Sequence, residues 1–421
     1  MRSNAAQRDV LGHPPGLTVL FLTETWEKFS YYGMRAILVY YMTETLLMTQ
    51  RDASAIYGYY TAAAYLTPVI GGWIADRWLS RRTAVALGGS IMAIGHFMMT
   101  SEALFFPALA AIALGNGLFL PSLPAQIAGL YRPDDGRRMI AYNVYYAGIN
   151  LGAFFAPLVC GGLGELLGWH WGFGVAGGGM VLALAIYLGG ARWLPPAEPA
   201  HQERQAAATA SSDTATPYLF LFGVILAVVI FRGAYEQIGN TVAVWTDSGV
   251  DRSVSAGFDI PMAWFQALNP LCVFLFTPLL ALWWPTPSSV GPTVRRMALG
   301  ALVVAGAYLT LAVAAAESRG DASSWLWLLA FFGVITLGEL LILPVGLGLF
   351  GRLAPVHRAA TMIAIWFVAS AGGNLLGGQL GGLWSSLTPP LFFGLTAVVS
   401  ICAALCLLAL SRRPPAAAKD P

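Results

Sequence analysis

Residues 194–217 read LPPAEPAHQERQAAATASSDTATP, and the fold turns on them. Pro, Ala, Ser and Thr dominate the stretch and apolar periodicity is missing, which is the composition of a flexible linker. On both sides the chain is apolar. A membrane-crossing helix needs about 20 mainly apolar residues. Cutting the chain at its charged, Pro-rich and Gly-rich breaks places spans near 17–48, 54–76, 82–101, 103–131, 137–164, 168–194, 216–246, 258–285, 293–316, 323–353, 357–386 and 388–410. The linker, 195–215, separates six spans from six. The expected fold is an all-α membrane protein with a first bundle at 1–194, a second at 216–410 and a short tail at 411–421.

Composition supports the same class. Of 421 residues, 57% are hydrophobic and 10% charged, with a mean hydropathy of +0.65, whereas about a quarter of a soluble domain is charged. The net charge of +2 and the absence of a basic stripe interleaved with aromatics argue against nucleic acid as a partner. Cys160, Cys272, Cys402 and Cys406 sit in apolar runs without metal-type spacing, so neither a disulfide nor a metal site is expected. The N-terminal MRSNAAQRDVLGHPPGL lacks the apolar core and cleavage site of a signal peptide, leaving the first span as the targeting signal.

Basic residues orient the spans. With the N-terminus in the cytoplasm, 17 of the 23 Lys and Arg fall on cytoplasmic segments, against Arg51, Arg252 and Arg319 outside. This bias satisfies the positive-inside rule and places both termini in the cytoplasm of a cell-membrane protein. The other three, Lys28, Arg35 and Arg232, lie within spans.

Two of them belong to the first span, ETWEKFSYYGMRAILVYYM, residues 24–42, which holds Glu24, Glu27, Lys28 and Arg35. A charge at the centre of a membrane helix costs about 2.5–3.5 kcal/mol. At 3.6 residues per turn Glu24, Lys28, Tyr31 and Arg35 form one stripe, with Glu27 and Tyr32 beside it. Acids and bases interleaved within a turn pair in a dry site, and protonating a Glu releases its partner, the makings of a proton-linked switch. A static ion-pair cluster that only pins helices is the plainer alternative. His96, in IMAIGHFMM, reads as a hydrogen-bonded packing residue.

Two six-helix halves joined by a linker resemble the major facilitator architecture, and GGWIADRWLSRR (71–82) resembles that superfamily's loop between helices two and three, with Ser80 where Gly is usual. Its charges are expected to make cytoplasmic contacts between helices. ETWEKFSYYGMRAIL closely resembles the first-helix signature of the proton-dependent oligopeptide transporters. YLTPVIGGWIADR, GINLGAFFAPL, AYEQIGN, FQALNPL, GELLILPVGLGLFGRLAP and WFVASAGGNLLGG resemble that family's helices two, five, seven, eight, ten and eleven. The resemblance implies proton-driven uptake of di- and tripeptides by alternating access, by a monomer in the lipid bilayer, with the proton as coupling ion and no cofactor. It matches Arg35 to the peptide's carboxylate, Lys28, Glu24 and Glu27 to proton coupling, and Tyr31, Tyr32, Tyr65 and Trp366 to pocket aromatics. Asn150 and Asn269 match amides near the peptide backbone, Glu339 the acid that receives the peptide's amine, and Glu236 the acid of the seventh helix. A zwitterionic peptide calls for such a set: a base, an acid and amide partners between, with Arg able to bind both carboxylate oxygens.

The chain departs from the family in three places. GNGLFLPSLPAQ (115–126) has Leu120 at a lysine position and Ser122 at an asparagine position, while Arg232 stands where an aromatic is usual. Arg232, four residues before Glu236, is expected to pair with it or reach Glu339, and so to restore the cation lost at Leu120 in proton coupling. Two additional helices carried by many bacterial members do not fit in the linker. No arrangement of residues points to an enzyme. Three readings remain: a peptide–proton symporter; the same scaffold moving a modified amino acid, a peptide-like natural product or nitrate, or running as an exporter; and a peptide sensor that does not transport.

Overall fold

The computed structural model describes residues 9–132, 135–196, 217–255, 257–284, 289–318, 321–353 and 359–415. Of the expected linker, 197–215 lie outside the described residues, as do 416–421 of the tail. Twelve long helices run along the described chain: α1 (Pro15–Tyr40), α2 (Gln50–Trp78), α3 (Arg81–Met98), α4 (Phe105–Ser122), α5 (Arg137–Ala156), α6 (Trp169–Gly189), α7 (Tyr218–Tyr235), α8 (Leu268–Trp283), α9 (Val290–Glu317), α10 (Leu326–Leu353), α11 (Ala359–Gly381) and α12 (Pro389–Ser411). Among the described residues, eight helical stretches are long and apolar enough to cross a membrane on length and composition alone. The segment α1 is not among them, because every window of it long enough to cross contains Glu24, Glu27 and Lys28.

Several helices change pitch where the sequence forces it. At α5 the helix passes through a π turn at Pro157–Gly161 into Gly162–Leu167, since Pro157 cannot donate to the helical ladder. At the end of α7 the chain tightens into a 3-10 turn over Glu236–Gly239 and resumes as a helix over Thr241–Ser248. Sequence reading does not anticipate the strands that follow: Ser253–Ser255 pairs antiparallel with Phe258–Asp259, and Val250–Asp251 pairs parallel with Ser323–Ser324.

Contacts divide the chain into two compact units, Met1–Ile37 with Leu66–Gln205, and Leu38–Tyr65 with Ala206–Pro421. The first has a core of Leu20, Val85, Met92, Phe119, Ile127 and Met180. Small residues set its helix spacing: a Cβ at Gly71 would strike the backbone of Gly117 on α4, and one at Gly88 the backbone of Gly115. In membranes such residues allow close van der Waals packing of backbones. Ser80 caps α3, its hydroxyl accepting from the Thr83 N–H at 3.1 Å, so the residue that replaces Gly begins a helix. Arg82 donates to the Leu194 carbonyl at 2.5 Å and Arg81 to that of Ala125 at 3.2 Å, the interhelix role expected of this loop. At the start of α5, Arg137 donates to Asp9, to the Gly12 carbonyl and to Asp135; its side-chain and backbone bonds to Asp135 hold that half-buried carboxyl below its usual range.

The second unit packs around aromatic residues, with Phe231, Tyr308, Phe331, Phe332, Phe392 and Phe393 all buried. The Tyr308 hydroxyl donates to the Ala234 carbonyl at 2.7 Å, just before α7 tightens into its 3-10 turn. The end of α1 and the first half of α2 belong to this unit: Tyr40 donates to the Ala243 carbonyl at 3.1 Å, Ser54 to Asn240 at 2.7 Å and Gln50 to the Gly381 carbonyl at 3.0 Å. Gly58 and Gly378 permit α2 and α11 to touch backbone to backbone.

His96 departs from expectation. It is fully buried, but neither ring nitrogen has a hydrogen-bond partner. The four cysteines are free.

Candidate functional site

Among the described residues, each unit carries a buried cluster that includes charged side chains. In the first, Lys28 Nζ lies 2.7 Å from Glu27 Oε2 and 3.5 Å from Glu24 Oε1. The four-residue spacing of Glu24 and Lys28 produces the second contact, while Lys28 bends to the adjacent Glu27 for the first. Glu24 and Glu27 are fully buried and Lys28 nearly so. The Tyr145 hydroxyl on α5 donates to the other Glu24 oxygen at 2.5 Å. Small residues at four-residue spacing on α5, Gly148, Gly152, Ala156 and Cys160, bring this tyrosine there. A Cβ at Gly152 would meet the Thr25 carbonyl, the Phe29 N–H and Lys28 Cβ, and Gly33 of α1 in turn abuts Cys160.

Tyr31 lies beneath the Lys28 ammonium, 5.9 Å from ring centroid to Nζ, and its ring meets that of Tyr32 edge-on at 5.3 Å. Arg35 is half-buried two turns beyond Lys28 on the same stripe. Asn150 is buried on α5 and turned to its own helix, donating to the Tyr146 carbonyl at 3.1 Å.

In the second unit Arg232 Nη2 donates to Glu236 Oε1 at 2.6 Å, and the guanidinium stands 4.9 Å from the centroid of the Tyr65 ring. Of the two contacts expected for Arg232, the four-residue pair is the one formed. Glycines of α11 make room for it: a Cβ at Gly373 would overlap that of Arg232, and one at Gly377 would crowd Glu236. Beside this pair, Asn269 Nδ2 donates to Glu339 Oε2 at 2.7 Å and to Thr336 Oγ1 at 3.0 Å. The Tyr235 hydroxyl is a second donor to Glu339.

Trp366 and Asn269 each have local partners. Trp366 is 6% exposed, packed edge-on to Phe350 at 5.3 Å and over Gly346. It sits in the apolar core because Gly346 leaves a slot that a flat indole fills. Asn269 has its amide committed to Glu339 and Thr336. Sequence reading also missed Tyr145 and Tyr235. Tyr235 adjoins Glu236 in AYEQ, a signal in plain view, whereas Tyr145 in YNVYYAG has no local mark that separates it from its neighbours.

The arrangement has a simple charge balance. Glu24, Glu27 and Lys28 together carry one more acid than base, and so do Glu236, Glu339 and Arg232. In a dry site an unbalanced charge is costly, so an added positive charge is favoured at either set.

Comparison with known proteins agrees with this chemistry. The chain matches the POT family over residues 82–211 and 200–390. It is 31% identical to the peptide transporter YePEPT of Yersinia enterocolitica, over 95% of this chain and 94% of the relative.

The chain belongs to the POT family.

A di-/tripeptide transporter of Lactococcus lactis subsp. cremoris is also 31% identical, with 97% of each protein covered. A crystal structure of a POT peptide transporter in complex with alafosfalin matches with a TM-score of 0.86 and 30% identity, over 97% of this chain and 96% of that one. A POT family transporter in complex with 5-aminolevulinic acid matches at 0.86 and 25% identity, over 97% and 98%. With its family and its helices, this chain is a multi-pass membrane transporter of major facilitator fold.

Proposed function

We propose that this POT-family chain is a proton-coupled symporter that imports di- and tripeptides by alternating access, as a monomer, with both termini in the cytoplasm, bundles 1–194 and 216–410 as its domains, and no cofactor or enzymatic step. The observation that carries the reading is the pair of clusters, each short of one positive charge. A proton on Glu24 or Glu27 completes the first and weakens the hold on Lys28. The ammonium of a peptide completes the second at Glu339, which Asn269 and Tyr235 hold in place, while Arg232 already neutralises Glu236. The peptide carboxylate goes to Arg35, whose planar fork binds two oxygens. Tyr31, Tyr32 and Tyr65 border the substrate and Asn150 offers an amide. Arg232 takes the place of the cation lost at Leu120.

Uptake of labelled dialanine into proteoliposomes, with and without an inward proton gradient and inside-negative potential, tests the reading. Accumulation above equilibrium that disappears in Glu24→Gln is the expected result. Equilibration without accumulation would leave a peptide carrier without coupling, and binding without entry would leave a sensor.

A second reading has one observation in its favour. Because Arg232 neutralises Glu236, a single acid is left to meet a cation, which suits a small zwitterion as well as a peptide, and a relative has been solved with 5-aminolevulinic acid. Competition of dialanine uptake by that compound separates the two readings.

A further inference from the structure

On the face of α1 opposite its charges, the first unit has an apolar groove that the transport reading does not use. One part, of 760 Å³, lies among α1, α5 and α6, lined by Trp26, Phe29, Phe155, Gly178 and Leu182. A second, of 420 Å³, runs between α1 and the end of α6, lined by Val19, Ile186, Gly189 and Trp193. Leu22 borders both, so they form one channel. The floor is glycine: a Cβ at Gly178 or Gly189 would meet nothing within 4 Å. From Gly174 to Gly190 the groove follows α6 for about 24 Å at 1.5 Å per residue, against about 30 Å for a bilayer's hydrocarbon core.

Two features identify the occupant. The α5 and α6 walls are long and apolar enough to cross a membrane, and the chain is a multi-pass transporter, so the groove opens on lipid tails rather than on water. At its α6 end, just beyond the last membrane residue, the exposed Arg192 guanidinium stacks on the Trp193 ring at 4.1 Å, an aromatic–cation pair of the kind that marks the bilayer interface. We infer that the groove between α1 and α6 is a binding site for one anionic phospholipid of the adjoining leaflet, its phosphate at Arg192 and an acyl chain lying along Gly189 to Gly178 behind Trp26 and Phe29. A tail of one leaflet, half the core or about 15 Å, reaches from Trp193 to the wider part of the groove. The chain then braces α1 from the side opposite Glu24 and Lys28.

Native mass spectrometry of the full-length protein, delipidated and titrated with dioleoyl phosphatidylglycerol or phosphatidylcholine, tests the inference. Wild-type protein should retain one phosphatidylglycerol in preference to phosphatidylcholine by about fivefold, the worth of one interfacial arginine toward anionic lipid. Arg192→Glu should abolish that preference. Gly178→Trp and, independently, Gly189→Leu should lower retention of both lipids by about tenfold through loss of tail contact, while Gly306→Trp, also at an open position but in the second unit, should not. Unchanged retention in folded Gly178→Trp and Gly189→Leu variants would overturn the site. So would a wild-type dimer that both variants dissociate without change in lipid retention, which would assign the groove to a second copy of the chain.

Discussion

At the scale of single residues, the ionic pairs of α1 and α7 differ in what surrounds them. Arg232 and Glu236 form a nearly fully buried pair 2.6 Å apart. Removing one member strands the other, which costs about 3–5 kcal/mol, whereas replacing both with apolar residues is often neutral. Arg232→Leu should therefore lower the melting temperature sharply, and Arg232→Leu with Glu236→Leu should recover most of the loss. If the single variant, rescued by low temperature, still accumulates peptide on a proton gradient, Arg232 does not replace the missing Leu120 cation. Tyr145 offers a finer probe. Its bond to Glu24 is to a charged acceptor, a class worth about 1.5–3 kcal/mol. Tyr145→Phe keeps the ring and removes the donor, so Glu24 loses a buried partner. Accumulation of peptide on a proton gradient should fall in this variant together with its unfolding temperature; a lowered unfolding temperature with accumulation unchanged would limit Tyr145 to packing.

At the scale of helices, glycine decides how closely charged elements approach. Gly152 lets α5 lie on α1 at Lys28, and Gly373 lets α11 lie on Arg232. Inserting carbon into such contacts typically costs about 1–3 kcal/mol through displaced neighbours. Gly152→Val and Gly373→Val should each reduce thermal stability and uptake together, while Gly306→Ala, with open space around it, should leave both near wild type. Equal tolerance at the three positions would mean that the helices are free to separate. The periodicity of residues 24–35 gives the polar stripe of α1 without help from the structure, since the helix is local and its period fixed. Partners from other helices are another matter. Tyr145 is 121 residues from Glu24 and Asn269 is 70 from Glu339, and YNVYYAG holds three tyrosines that composition cannot tell apart.

At the scale of the whole molecule, topology is the testable quantity. The hairpin at Ser253–Asp259 is exposed and lies where the basic-residue bias puts the outside, while Arg412 follows α12 on the expected cytoplasmic side. In intact cells Ser253→Cys should react with a membrane-impermeant maleimide, whereas Arg412→Cys should react only after permeabilisation, each on a background with Cys402 and Cys406 replaced. The reverse pattern would invert the protein and turn import into export.

Twelve helices and the charged stripe of the first are properties of short stretches of chain, legible in the sequence through hydropathy and helical period, and the bias of Lys and Arg sets their expected direction through the membrane. Tertiary structure alone decided the rest. It set Trp366 in the core and left the ring nitrogens of His96 without partners. It gave Glu24 and Glu339 a tyrosine each, and grouped Leu38–Tyr65 with the second unit. The reason is physical: burial and hydrogen-bond choice depend on which helix faces come within a few ångströms, and that is fixed by small residues packing across long separations in sequence.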